Sequence, residues 1–387
     1  MRIGIVLYPT FGGSGVLATE LGKALAKKGH EVHFISYSQP ARLEAFVENI
    51  FYHEVYIPQY PLFQHAPYET ALAGKIVEIV KSNNLDLMHV HYAIPHASAA
   101  LLAKMILKEE GINMPVITTL HGTDITLVGR EASYEPVVTW SINQSDAVTA
   151  VSDSLVRDTM KHFAVKRPIR MIPNFIDFER FNKKPRQHFK DLIAPNNERI
   201  IVHTSNFRKV KRVEDVVRIF NIIQQKIPAK LLLIGDGPER SNIEKVCREL
   251  SVCNKVTYLG KQEAIEEIMS ICDLFILPSE SESFGLSALE AMACEVPVIS
   301  TNAGGLPEVN IHGVTGFLSD IGNYEEMAAN ALTLLEDDEM LLKFRKNALE
   351  QAKTFDLNTV LDQYAAVYEE MIHVNHAENN SAEISKQ

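Results

Sequence analysis

Twice along this chain, short β-branched runs alternate with amphipathic helical patterns, and that repeated alternation leaves few folds open. In the first half the strands read Ile3 to Leu7, Val32 to Ser36, Leu87 to His91, Val116 to Leu120 and Ala147 to Ala150. Helical patterns separate them at about Gly15 to Lys28, Tyr68 to Ser82 and Ala97 to Glu110. After a polar, Pro-containing stretch from Phe181 to Glu198 the pattern restarts with Ile200 to Thr204, a helix from Glu214 to Gln225, and Lys230 to Ile234. Val256 to Leu259, Leu274 to Leu277 and Val298 to Ser300 complete it. Strands interleaved with helices form parallel sheets covered on both faces, because each crossover must pass over the sheet. The expected class is therefore α/β, with two Rossmann-like domains and a ligand cleft between the carboxyl ends of their strands. The domains are expected at 1–168 and 169–357, with a last helix over 358–373 crossing back to the first; the polar segment 374–387 is expected to be disordered.

Charge and cysteine usage narrow the function classes. A chain of 387 residues with a net charge of -11 is unsuited to general binding of nucleic acid or anionic membranes, so an anionic ligand must be gripped locally. Cys247, Cys253, Cys272 and Cys294 lie apart without metal-type spacing, which reads as a reduced protein. The N-terminus enters a strand directly, and no run approaches the roughly 20 apolar residues of a membrane span, so the expected compartment is the cytoplasm and no stable membrane association is expected.

The segment Glu282-Ser283-Phe284-Gly285-Leu286 joins a buried strand to an apolar helix that carries Glu290. Backbone N–H groups around Phe284, Gly285 and Leu286 would lie unpaired at that helix N-terminus, where a diphosphate can bind. Glu282 could accept hydrogen bonds from sugar hydroxyls and Glu290 from a ribose; two ordinary solvated glutamates are the alternative. Gly12-Gly13-Ser14-Gly15 sits between the first strand and helix and lets backbone approach an anion, although its spacing is not the dinucleotide G-x-G-x-x-G fingerprint. In Ser205 to Arg212, Arg208 offers a planar fork and Lys211 a mobile charge to a leaving diphosphate; a solvated basic loop remains open. His121 leaves the strand Val116 to Leu120 at its carboxyl end, placed to bond a sugar hydroxyl, or to cap the strand. His89, His91 and His96 lack a carboxylate or Cys at metal spacing and read as packing residues. Gly235-Asp236-Gly237-Pro238 and Gly304-Gly305 read as tight turns beside the same ligand.

In this order, these residues resemble the retaining GT-B glycosyltransferases, the large family of sucrose synthase and bacterial glycosyl-lipid mannosyltransferases. The resemblance spans nearly the whole chain. It implies that Arg208, Lys211, Glu282 and His121 serve catalysis and that Gly13, Asn206, Gly235, Phe284, Gly285, Leu286 and Glu290 bind the donor. Within the family, His89 to His96, Thr118 to Thr126 and Pro173 to Asp177 resemble the members that open bacillithiol biosynthesis. That implies UDP-N-acetylglucosamine as donor and L-malate as acceptor, without a metal or other cofactor. Malate's two carboxylates need hydrogen-bond donors, for which Ser14, Tyr92, Thr119 and Arg130 are the candidates. Two departures stand out: Glu295 where the family usually has glycine, and Ser281 where it usually has lysine. A GT-B sugar-nucleotide epimerase, a silent nucleotide-sugar binder and a transferase with a lipid or other small acceptor are the rival readings. A homodimer is an open expectation with no residue behind it.

Overall fold

A computed structural model describes residues 1–10, 12–57, 61, 64–184 and 186–384, with side chains through 377. The chain divides into two compact units, one of Met1–Asn174 with Leu357–Gln387 and the other of Phe175–Asp356.

The first unit contains strands β1 (Arg2–Val6), β2 (Glu31–Ser36), β3 (Ile50–Glu54), β4 (Leu87–His91), β5 (Val116–Leu120), β6 (Ala147–Ala150) and β7 (Ile169–Met171). Helices α1 (Gly13–Lys27), α2 (Tyr68–Asn83), α3 (Ser98–Glu109), α4 (Glu135–Gln144) and α5 (Asp153–His162) connect them. The sheet runs β3-β2-β1-β4-β5-β6-β7, with every pairing parallel.

The second unit holds β8 (Arg199–Thr204), β9 (Ala229–Ile234), β10 (Val256–Gly260), β11 (Leu274–Leu277), β12 (Val298–Thr301) and β13 (Gly316–Ser319). Its helices are α6 (Gln187–Ile193), α7 (Val213–Gln224), α8 (Arg240–Glu249), α9 (Ile265–Met269), α10 (Leu286–Ala293), α11 (Leu306–Val309), α12 (Tyr324–Leu335) and α13 (Asp338–Lys353). Its parallel sheet repeats the same design in the order β10-β9-β8-β11-β12-β13. Strand order reverses between β1 and β4 in one sheet and between β8 and β11 in the other. At such a switch point successive loops diverge and leave a crevice beyond the carboxyl ends of the strands.

Helix α7 shows why the pattern was readable. Val213, Val216, Val217, Phe220 and Ile223 recur at helical spacing and are all buried against β8 and β9 residues such as Ile201, Leu231 and Leu233. Each such side chain contributes about 1.5–3 kcal/mol by leaving water. The alternation missed β3, β7 and β13, which are edge strands. No residue of β3 is fully buried and β7 has only three residues, so neither carries the apolar run that marks a central strand.

The last helix, α14 (Leu357–Ile384), extends beyond the expected 358–373. The helix thus runs on from 374 through Ile384, over most of the segment expected to be disordered; residues 385–387 lie outside those described. Neither glycine nor proline interrupts the segment, and Tyr364, Tyr368 and Met371 bury its inner face. Asn375 then donates from Nδ2 to the Asn113 carbonyl at 2.9 Å. Among the described residues no helix is long and apolar enough to cross a membrane.

Glu295 proves to occupy a left-handed position, φ 60°, just past the end of α10. The Glu295 N–H donates to Met292 O at 3.0 Å and that of Val296 to Ala291 O at 2.9 Å, the backbone pattern for which helices favour glycine. Its carboxylate partly offsets the strain through Lys183, 3.1 Å away, but both side chains are about one-third exposed and such pairs contribute little. Glu295→Gly is expected to raise stability by up to about 1 kcal/mol. A loss of that size in a denaturant titration would mean that the ion pair outweighs the strain.

Candidate active site

In the second unit, the loops leaving β8 and β11 meet at the switch point. The Glu280 N–H donates to the Val210 carbonyl at 2.7 Å, binding one loop to the other. Across that junction Lys211 Nζ lies 2.6 Å from Glu282 Oε1, and the Ser279 hydroxyl donates to the same oxygen at 2.8 Å. These side chains are only 21% and 12% exposed, so water screens the pair less than at an open surface. Gly304 holds the other side of Glu282. It has φ 56°, and a Cβ there would stand 1.9 Å from the Glu282 carbonyl oxygen, while Gly305 N–H donates to that oxygen at 2.9 Å.

His203, at the carboxyl end of β8, supports this junction from below and was not singled out from sequence. Its Nδ1–H donates to Ile276 O at 2.8 Å, which leaves Nε2 to accept from the Ser205 hydroxyl at 2.8 Å. Burial, aided by the Lys211 charge, lowers its pKa to about 4, so the ring is neutral and works as a brace. A histidine two residues before a polar loop was the available signal.

The remaining second-unit candidates occupy the same loops. Gly235, φ 115°, allows its turn to sit on the β8 loop, since a Cβ would lie 1.9 Å from Ser205 O; neighbouring Asn206 is exposed. Phe284 is buried edge-to-face on Phe355, with centroids 5.4 Å apart, so only its backbone is free to meet a ligand. Gly285, φ 102°, turns the chain into α10, whose first turn holds Leu286 and whose later, 8%-exposed Glu290 faces inward. Arg208 does not join the Lys211–Glu282 contact in this state. It is exposed beside a depression of about 380 Å³ shared with Arg212, Arg218 and Glu239, though its carbonyl accepts from Lys211 N–H at 2.8 Å.

In the first unit, the switch point brings Ser14 and Tyr92 together, their hydroxyls sharing a 2.5 Å hydrogen bond. The glycine loop makes this possible: a Cβ on Gly15 would fall 2.3 Å from Tyr8 O. Exposed Gly13 opens α1, and the His121 ring lies 5.1 Å from that of Tyr92. His121 Nε2 and His91 Nδ1 share a 2.8 Å hydrogen bond. Burial and the neighbouring His96 lower the His121 pKa to about 3, leaving a neutral imidazole for hydrogen bonding. Beneath them, burial raises the Asp124 carboxyl to about 6 although the Ala93 and Gly122 amides donate to it at 2.8 and 3.0 Å.

Thr119 does not belong with these groups. Its hydroxyl is fully buried and shares 2.7 Å hydrogen bonds with His89 Nε2 and Thr149 Oγ1, so it is satisfied inside the sheet. Every residue of β5 is buried, so the apolar run does not show which neighbour each side chain meets; Thr119 faces His89 and Thr149. Arg130 is exposed at the end of the single turn Val128–Arg130. His89 also bonds Tyr368 at 2.7 Å, which gives this histidine a packing role.

Comparison with known proteins adds an independent line. Residues 11–180 match the model described as Glycosyltransferase Family 4, and residues 184–351 match Glycosyl transferases group 1. The chain is 45% identical over 375 residues to N-acetyl-alpha-D-glucosaminyl L-malate synthase of Bacillus anthracis, covering 96% of this chain and 97% of that one. Among solved structures, HepE of Anabaena in complex with UDP and glucose superposes with a TM-score of 0.81 at 22% identity, over 95% and 99% of the two chains. Sucrose-phosphate synthase of Thermosynechococcus elongatus gives 0.78 at 21% identity, over 96% and 99%.

Proposed function

The chain belongs to the GT-B glycosyltransferases that these two models describe, and from that premise we propose that it moves N-acetylglucosamine from UDP-N-acetylglucosamine to the hydroxyl of L-malate. The carrying observation is the nearly full-length 45% identity to the Bacillus anthracis synthase. It is supported by the partly buried Lys211–Glu282 pair at the β8/β11 switch point, where such sheets take ligands. The product opens bacillithiol biosynthesis, in the cytoplasm.

In the proposed reaction the malate hydroxyl oxygen forms a bond to the anomeric carbon on the face from which UDP departs, so configuration is retained. The bond from that carbon to the phosphate oxygen breaks, and the hydroxyl proton passes to a phosphate oxygen of the leaving UDP. Arg208, Lys211 and the N–H groups opening α10 stabilise the negative charge that grows on the diphosphate, so the step needs no metal. Glu282 and neutral His121 hold donor-sugar hydroxyls, and Glu290 accepts from the ribose. Gly13, Asn206 and Gly235 provide close backbone approach. Ser14, Tyr92 and Arg130 supply hydrogen-bond donors to malate, and Thr119 acts behind them by holding His89.

The test is UDP release and product mass with UDP-N-acetylglucosamine, with and without L-malate, in the presence of a chelator. Malate-dependent release with a glucosaminyl-malate mass is expected. Release without an acceptor conjugate would replace the proposal with an epimerase, and release restored only by added metal would overturn the metal-free step.

A further inference from the structure

The second unit contains a basic cavity that the proposed reaction does not use. It encloses about 520 Å³ and is lined by Lys183, Lys184, Arg186, Lys190, Arg345 and Glu295, together with Ser270 and the Ile271-Cys272 segment that leads into β11. These residues stand at the amino end of β11 and the carboxyl end of α10. Lys211 and Glu282, by contrast, lie beyond the opposite, carboxyl end of β11.

Charge accounting singles the cavity out in a chain whose net charge is -11. Five cationic side chains face three carboxylates: Lys183 pairs with Glu295 at 3.1 Å, Arg186 with Glu267 at 2.7 Å, and Arg345 and Lys190 share Asp273 at 2.7 and 3.6 Å. Among the described residues the Lys184 ammonium has no carboxylate partner. Arg186 Nε is buried without a hydrogen-bond partner, because the Glu267 contact uses Nη2. A buried guanidinium N–H left unpaired costs about 1–3 kcal/mol, and an oxyanion is the group that satisfies it. Arg345 is only 12% exposed and fixed by Asp273, so part of the wall is preorganised.

We propose that this cavity is a second anion site, taking a small molecule that carries a phosphate or diphosphate group. Arg186 Nε–H and the Lys184 ammonium bind its oxygens, and Lys183 and Lys190 neutralise the remaining charge. Small size is required because the acidic surface repels an extended polyanion. Occupancy bears on the donor loops through α10, which Gly285 precedes at the donor end and Glu295 follows at the cavity.

The probe is inorganic pyrophosphate, titrated calorimetrically into the full chain at constant ionic strength with UDP saturating, so that the donor site is already filled. One saturable site with a Kd below about 1 mM is expected. Lys184→Ala with Arg186→Gln should weaken it at least tenfold while leaving UDP affinity unchanged. The proposal is overturned if no saturable binding occurs beside UDP, or if the double variant binds pyrophosphate as the parent does. UDP binding is measured in the same samples, so failure of this site and failure of the donor assignment give different results.

Discussion

Replacing Lys211 with alanine is expected to lower kcat by about a hundredfold to a thousandfold, the usual consequence of deleting one preorganised group that stabilises charge developing in a transition state. The position predicts this because Lys211 is the cation in direct contact with Glu282, 2.6 Å away, and both side chains are mostly withdrawn from water. Without the ammonium, the leaving diphosphate would rely on Arg208 and backbone dipoles. The fold should tolerate the change, since Glu282 keeps the Ser279 hydroxyl and the two loops keep their Glu280-to-Val210 backbone bond. The melting temperature should therefore move by only a few degrees. Lys211→Arg should restore part of kcat, because charge is regained in a different shape. Turnover within threefold of the parent would remove Lys211 from the proposed step, and a collapse in melting temperature would give it a structural role instead.

Acidification should destabilise the first unit steeply between about pH 6.5 and pH 4. Burial lowers the pKa of His89 to about 3 and that of His96 to about 4, and takes His91 down as well. His91 Nε2 and His96 Nε2 are buried without partners, which leaves no acceptor for an added proton. A depressed histidine is neutral when folded but takes up a proton when unfolded. Its contribution is complete above the unfolded value and is lost as pH falls toward the folded value. Asp124, raised to about 6, has the opposite sign: it retains a proton that the unfolded carboxyl releases above about 4. Three fully buried histidines against one carboxyl leave two protons of net linkage as a lower bound, to which His121, lowered to about 3, and half-buried His53, lowered to about 4 by desolvation, add in the same direction. The slope is then at least roughly 3 kcal/mol per pH unit, or about 5–10 °C in melting temperature between pH 6 and pH 5. Calorimetry at constant ionic strength measures it, and a flat profile across that window would show that the histidines protonate in place.

The fold class was legible because central parallel strands are buried on both faces and so write continuous apolar runs into the sequence. Leu274 to Leu277 and Val116 to Leu120 were found to the residue. Edges β3, β7 and β13 were not, since burial on fewer sides relaxes that constraint. The far end of α14 was misread for a related reason: its polar composition conceals the absence of any helix breaker before Ile384.

Within the site, sequence alone determined which chemical groups are available and on which loop each sits. Strand-to-helix connections in a parallel sheet must emerge at the carboxyl ends, so Ser14, His121, Lys211 and Glu282 were assigned to those ends correctly. Tertiary structure decided which of them touch. Sheet order set β8 beside β11 and thereby brought Lys211 to Glu282 across 71 positions, as it set β1 beside β4 and joined Ser14 to Tyr92 across 78. It also decided that Thr119 turns inward to His89 and that His203 braces the loop above it. Local composition constrains burial and backbone conformation over a few residues, whereas strand order and side-chain parity arise only when distant segments pack.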